Sequence, residues 1–109
     1  MHSINGYIFG NLKGLVMNNG EKVRWYVLGM GNEVDIHAAH WHGKTVTVGA
    51  GPAARRTDVV ELSPASMVTV DMNANNPGEW MFHCHVVDHI AAGMLTTYQI
   101  LPVSPHKAE

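Results

Sequence analysis

The sequence has little charge and a single cysteine, and each shortage excludes a class of protein. Charged residues make up 15% of the 109 residues, against about 25% in an average soluble domain. Seven Lys and Arg against nine Asp and Glu give a formal charge of −2, which argues against a basic face for nucleic acid. The single cysteine, Cys84, has no partner for a disulfide within the chain. A disulfide-stapled scaffold is therefore excluded.

Long hydrophobic runs are also missing. No apolar stretch approaches the roughly 18 residues that a membrane helix needs, and no basic segment followed by an apolar one opens the chain as in a signal peptide. We therefore expect neither a membrane partner nor a nucleic-acid partner. The cellular location of the natural protein is left undetermined by the sequence itself.

The hydrophobic pattern that is present has a period of two, which is typical of half-buried strands. In 22–28, for example, Val23, Trp25 and Val27 alternate with Arg24 and other polar residues. The segments predicted as strands on this basis are 22–28, 45–48, 57–62, 66–72 and 95–101. Only 88–93 resembles a helix, of one or two turns. We predict one all-β domain over residues 1–109, a sandwich or barrel, with 102–109 as a flexible tail.

Histidine is the most unusual residue in the composition. The eight histidines outnumber the seven lysines and arginines together, and six of them fall in two windows, 37–42 and 83–89. The first window contains His-x-x-His-x-His, and the second begins His-Cys-His. The side chains of interest are His37, His40, His42, His83, Cys84, His85, His89 and Met94. Imidazole, thiolate and thioether at this density predict a metal-binding protein.

Strand geometry sorts these side chains into two sites, because alternate residues of a strand point to opposite faces. Cys84 points to one face and its two histidine neighbours to the other. By the same alternation His40 and His42 share a face, and His37 lies opposite them. One site then contains His37 and Cys84, and the other contains His40, His42, His83 and His85.

The first site can be completed from the segment after Cys84. His89 and Met94 follow the strand end, where the chain can curl back over a metal. Two imidazoles, one thiolate and a distant thioether form the ligand set of a blue-copper electron-transfer centre. We therefore predict one such copper, held by His37, Cys84, His89 and Met94.

The second site has four imidazoles and suits copper, zinc or nickel. Cys84 is joined through the main chain to both His83 and His85, so an electron leaving the first site has a short covalent route to the second. The pattern thus favours a redox protein with further copper at this face. Two other interpretations remain open, a stand-alone blue-copper electron carrier and a structural zinc or copper module without redox function.

Both windows resemble the last two of the four copper-binding motifs of multicopper oxidases. The matching patterns are His37-x-x-His40-x-His42 and His83-Cys84-His85-x₃-His89-x₄-Met94. Residues 1–15 and 29–32 resemble the final cupredoxin domain of ceruloplasmin-type proteins and of bacterial two-domain laccases. The resemblance implies a cupredoxin-like Greek-key β-sandwich. It also implies type 1 copper on His37, Cys84, His89 and Met94, type 2 copper on His40, and type 3 copper on His42, His83 and His85.

The activity that the resemblance implies is the oxidation of phenols, aromatic amines or metal ions, one electron at a time, at type 1 copper. The electrons pass through the Cys-His segment to a trinuclear copper site that reduces dioxygen to water. The other two family motifs, His-x-His-Gly and His-x-His, do not occur elsewhere in these 109 residues. We therefore expect a complementary cupredoxin domain as partner, a homotrimer as in the two-domain laccases, and no complete oxidase activity for the chain alone. Members of the family are often periplasmic or extracellular.

Two further residues match positions that hold substrate iron in ceruloplasmin-like ferroxidases. These are Asp88, just before the second type 1 histidine, and His2, near the start of the domain. Without that role, His2 and His106 would be solvated residues near the termini. Phenol-type electron donors are the leading expectation, and metal-ion oxidation is the alternative.

Overall fold

The computed structural model describes residues 2–30 and 36–102. Within these ranges the chain forms nine strands and one short α-helix. The elements are β1 Val16–Asn18, β2 Lys22–Gly29, β3 His37–Trp41, β4 Val46–Val48, β5 Arg55–Thr57, β6 Val59–Leu62, β7 Ser66–Asn73, β8 Gly78–Cys84, α1 Val87–Ala91 and β9 Leu95–Leu101. His106 and the rest of the predicted tail beyond Pro102 lie outside the described residues.

The strands form two sheets. One has five strands in the order β1-β9-β8-β3-β6, and the other has four in the order β2-β7-β4-β5. The pair β1–β9 is parallel, and the other pairs are antiparallel. The all-β sandwich predicted from the period of two is confirmed.

The core lies between the inner faces of the two sheets. Val23, Trp25 and Val27 of β2 pack against it, while Arg24 on the outer face pairs with Asp71 of β7. The buried hydrophobic residues of this core are Met17, Ala39, Trp41, Val46, Val60, Leu62, Val70, Met72, Ala74, Phe82, Tyr98 and Ile100. Burial of this apolar surface is the main force that holds the sheets together. It also fixes the orientation of β3 and β8, which carry most of the candidate ligands.

One predicted strand is wrong in its continuity. The segment 57–62 is interrupted at Asp58, where β5 of the four-stranded sheet ends and β6 of the five-stranded sheet begins. The Thr57 hydroxyl donates to the Val59 carbonyl at 2.9 Å and closes this tight crossing. The chain thereby passes from one sheet to the other without a loop. Residues on both sides of the break favour strands, so the sequence pattern does not show it.

The other differences are small. The predicted helix 88–93 is Val87–Ala91. A 3-10 turn at Gly51–Ala53 and the strand β1 are additions to the predicted elements. In the part of the chain that the structure describes, no helix is long and apolar enough to cross a membrane.

Candidate metal centre

The register of β3 against β8 separates the candidate ligands onto two faces of one sheet. Ala39 pairs with Cys84, and the next pair along is His40 with His83. Residues directly opposite each other in a ladder share a face, and successive pairs alternate. Cys84 therefore points toward the sandwich interior, on the same face as His37, whereas His40 and His83 point outward.

The first group, here called the thiolate cluster, consists of His37, Cys84 and His89. The Cys84 Sγ lies 3.8 Å from His37 Nδ1 and 3.6 Å from His89 Nδ1, and the two nitrogens are 3.2 Å apart. All three residues are buried. His89 reaches the cluster from α1, which turns the chain back directly after β8. Three ligand atoms thus converge on one point, two from residues five positions apart and one from 47 positions earlier than Cys84.

Met94 lies beside the thiolate cluster. Its main chain is held on both sides, because Met94 N–H donates to the His89 carbonyl at 3.1 Å and its own carbonyl accepts from Cys84 N–H at 3.0 Å. Together with His37 and Cys84 it lines a cavity of about 620 Å³. Met94 therefore lies near His37 and Cys84, as expected for the fourth ligand predicted from the sequence.

Main-chain contacts orient the groups of the thiolate cluster. His37 Nε2 lies 3.2 Å from the Met30 carbonyl oxygen. A carbonyl only accepts, so Nε2 carries the hydrogen and Nδ1 is left with the lone pair that a metal requires. The Ala38 N–H approaches the Cys84 Sγ at 3.5 Å and donates to it. Both contacts favour a metal-binding form of the cluster.

The second group, here called the four-histidine face, consists of His40, His42, His83 and His85. His42 Nε2 and His83 Nε2 are 2.9 Å apart, and the ligand atoms of His40, His42 and His83 lie within 4.8 Å of one another. The exposed ring of His85 has its centroid 5.4 Å from that of His40 and 5.5 Å from that of His83. The structure therefore brings three imidazoles together tightly and a fourth at the edge.

Carbonyl groups also set the ring orientation on this face. His40 Nδ1 donates to the Asp58 carbonyl at 2.7 Å, and His83 Nδ1 donates to the Cys84 carbonyl at 2.8 Å. Each bond leaves the Nε2 lone pair available. Loss of hydration lowers the pKa of His42, and electrostatic repulsion from the nearby imidazoles of His40, His83 and His85 lowers it further. A lowered pKa favours the neutral imidazole, which is the form that binds metal.

The two groups fit copper by the chemistry of their donors. Imidazole, thiolate and thioether match the blue-copper ligand set, and an all-imidazole group suits copper, zinc or nickel. The ring tautomers set by the Met30, Asp58 and Cys84 carbonyls present lone pairs rather than N–H groups to each centre. These carbonyl partners have no sequence signal, since every residue carries one.

The two predicted substrate-side residues lie in different environments. The imidazole of His2 stacks on that of His89, with ring centroids 3.9 Å apart and planes inclined by 25°. His2 is half-buried rather than fully solvated, because its ring stacks on His89 and its main-chain N–H donates to the Ala92 carbonyl at 3.4 Å, at the end of α1. Asp88 is exposed, in the first turn of α1.

Comparison with known proteins gives a consistent family match. A family model described as "Multicopper oxidase" matches residues 1–104. Mouse ceruloplasmin is 48% identical over 103 residues, which are 94% of this chain and 10% of that protein. Human ferroxidase HEPHL1 is 50% identical over 101 residues, which are 93% of this chain and 9% of that protein. The chain thus spans about one tenth of the length of these curated relatives.

Solved structures agree with the sequence comparison. The multicopper oxidase mgLAC superimposes with a TM-score of 0.81 at 28% identity, covering 97% of this chain and 37% of that one. The cupredoxin-like fold expected from the resemblance is confirmed by this likeness and by the strand order of the two sheets.

Proposed function

The chain belongs to the multicopper oxidase family, and from that premise we propose that it is the copper-binding electron-transfer domain of a laccase-like oxidase. Residues 1–109 would form one cupredoxin-like domain, with 102–109 as its tail. The observation that carries the proposal is the convergence of His37, Cys84 and His89, whose ligand atoms lie within 4.8 Å of one another.

We assign type 1 copper to the thiolate cluster together with Met94. Copper bound there would supply one-electron redox chemistry. His37 and His89 bind through Nδ1, the thiolate of Cys84 is the soft ligand, and the Ala38 N–H holds it in place at 3.5 Å. Burial of all three residues shields the ligands from bulk water, which limits rearrangement between the two oxidation states.

The four-histidine face is assigned to the remaining coppers, with His40 at type 2 and His42, His83 and His85 at type 3. Cys84 is covalently joined to His83 and His85, and the Cys84 carbonyl also accepts from His83 Nδ1 at 2.8 Å. The same short segment therefore connects both centres. Electrons delivered along it would serve the reduction of dioxygen to water once a complementary cupredoxin domain supplies the missing ligands.

The test of this assignment is copper stoichiometry measured together with the absorption spectrum. We expect one blue copper per chain, with any additional copper adding no intense visible band, because only the thiolate cluster contains sulfur of the Cys84 type. A fully loaded, folded chain without intense visible absorption would contradict the assignment of type 1 copper.

An incomplete face also predicts self-association, and we propose a homotrimer in which neighbouring chains approach one another at this face. His85 on the face is exposed, and the chain has only 15% charged residues to oppose association. Sedimentation velocity of the purified chain should give a species larger than a monomer that grows with concentration. A strict monomer at high concentration would rule the trimer out.

Oxidation of a metal ion is the second candidate function, beside phenol-type donors. It is favoured by the stacking of His2 on His89, which brings an additional imidazole to the thiolate cluster, and by the ferroxidase named among the relatives. Anaerobic reduction rates of the copper-loaded chain with ferrous ion and with a phenol separate the two. If His2→Ala slows reduction by ferrous ion but not by the phenol, metal-ion oxidation is supported. If ferrous ion reduces the parent chain and His2→Ala at the same rate, the phenol is favoured.

A further inference from the structure

His42 lies just beyond the end of β3, yet its main chain is held on both sides. The strand ends at Trp41, so pairing within β3 does not by itself fix the next residue. The His42 N–H donates to the Met81 carbonyl of β8 at 2.8 Å, and the His42 carbonyl accepts from the Tyr98 hydroxyl of β9. The position of this candidate ligand therefore depends on strands that follow it by about forty to fifty-six residues.

The residue after His42 is fixed by the same pair of strands. Gly43 has φ of +75°, and a Cβ at this position would meet the Trp80 ring at 2.4 Å, closer than any side chain allows. Trp80 is the direct partner of Tyr98 across β8 and β9. The Asn76 amide also donates to the Gly43 carbonyl at 3.2 Å. The turn after β3 thus packs closely against Trp80 and accepts a hydrogen bond from the Tyr98 hydroxyl.

Tyr98 is well suited to hold a carbonyl. Its side chain is 1% exposed, and its ring meets that of Trp25 edge to face, with centroids 5.6 Å apart. A phenol hydroxyl is protonated near neutral pH, so the group remains a donor to the His42 carbonyl. The His42 carbonyl is partly buried, and without this donor it would lose its hydrogen bond at a cost in free energy.

We propose that Tyr98 is a positioning residue for the four-histidine face. Its hydroxyl holds the main chain of His42 so that the imidazole Nε2 stays within reach of the metal site shared with His83, 2.9 Å away. The proposal rests on the proposed function in one respect, that His42 is a metal ligand. Tyr98 touches no ligand atom and acts only through the His42 carbonyl.

Zinc affinity of the Cys84→Ser chain tests this role, because the substitution removes the thiolate and leaves the four-histidine face as the main site. Zinc is titrated in competition with a chromophoric chelator. Adding Tyr98→Phe should weaken zinc binding by about 10- to 100-fold, the usual effect of losing a group that orients a ligand. The ring of phenylalanine preserves the packing, so only the hydroxyl is lost.

Thr96→Val in the same background is the matched control. Thr96 lies two residues away on β9, is fully buried, and donates its hydroxyl to the Leu12 carbonyl at 3.0 Å. The Thr96→Val substitution removes a hydroxyl-to-carbonyl hydrogen bond of the same kind and leaves the contacts of His42 in place. Zinc affinity should be unchanged, although both variants should lower the melting temperature. Equal weakening by the two variants, or none by Tyr98→Phe, would overturn the proposal.

A second measurement needs no metal. Nuclear Overhauser contacts between the imidazole protons of His42 and His83 should be present in the parent chain and in Thr96→Val, and lost or much weaker in Tyr98→Phe. Contacts that persist in Tyr98→Phe would overturn the positioning role even if zinc bound too weakly to titrate. These results can be distinguished from a failure of the proposed function. A chain that stays colourless when loaded with copper can still show the loss of zinc affinity and the loss of the Overhauser contacts in Tyr98→Phe.

Discussion

Serine in place of Cys84 will abolish the intense visible absorption of the copper-loaded protein. That band arises from thiolate-to-Cu(II) charge transfer, and Cys84 is the only cysteine of the chain. Its Sγ lies within 4 Å of the Nδ1 atoms of both His37 and His89, so the thiolate can bind the same ion as the two imidazoles. No second cysteine is present in the sequence to replace it. A serine hydroxyl is smaller and holds its proton, which makes it a poor ligand. The measurement is the visible spectrum at known copper content, and we expect complete loss of the band.

The matched control is Ala39→Ser. Ala39 faces Cys84 directly across the β3–β8 ladder and is equally buried, so this variant adds a hydroxyl at the same place but keeps the thiolate. It should retain the intense band, while circular dichroism shows both variants folded. A folded, copper-loaded Cys84→Ser chain that remains intensely blue would contradict the assignment of Cys84 as the thiolate ligand.

The separation of the ligands into two faces could be predicted because it depends only on counting along strands. Alternation along β3 places His37 and His40 on opposite faces of the sheet. The ladder then pairs His40 with His83 and Ala39 with Cys84. Two strands that run side by side in this register give two clusters without any information on the rest of the fold. The convergence of His89 was predictable for a similar reason, since it follows the strand end by only a few residues.

Other parts of the site have no local signal. The Met30 and Asp58 carbonyls orient His37 and His40, but main-chain groups are the same at every position. The interruption at Asp58 is imposed by the change of sheet, although Thr57 and Val59 both favour a strand. The contact of Tyr98 with His42 joins residues that are 56 positions apart. Such features follow from the packing of the two sheets, and a single sequence does not encode them in a readable pattern.

The copper-loaded chain alone will accept electrons from a phenolic donor and yet fail to reduce dioxygen in repeated turnover. If the thiolate cluster binds copper as proposed, with Met94 beside it, one electron per chain should be taken up and the blue band should bleach anaerobically. The four-histidine face has only the imidazoles that lie on β3 and β8 or directly after them, and the remaining family motifs are absent from these 109 residues. Reduction of dioxygen to water needs four electrons gathered at one place, which half of a site does not provide.

Oxygen consumption and anaerobic bleaching, measured on the same preparation, distinguish uptake from turnover. A chelator that removes loosely bound copper should leave bleaching unchanged. His85→Ala is the matched variant, because it removes the exposed imidazole at the edge of the face and leaves the buried His37, Cys84 and His89 in place. It should bleach to the same extent as the parent. Oxygen consumption well beyond one electron equivalent per chain, lost in His85→Ala, would mean that neighbouring copies complete the face themselves and that the chain is a full oxidase as an oligomer.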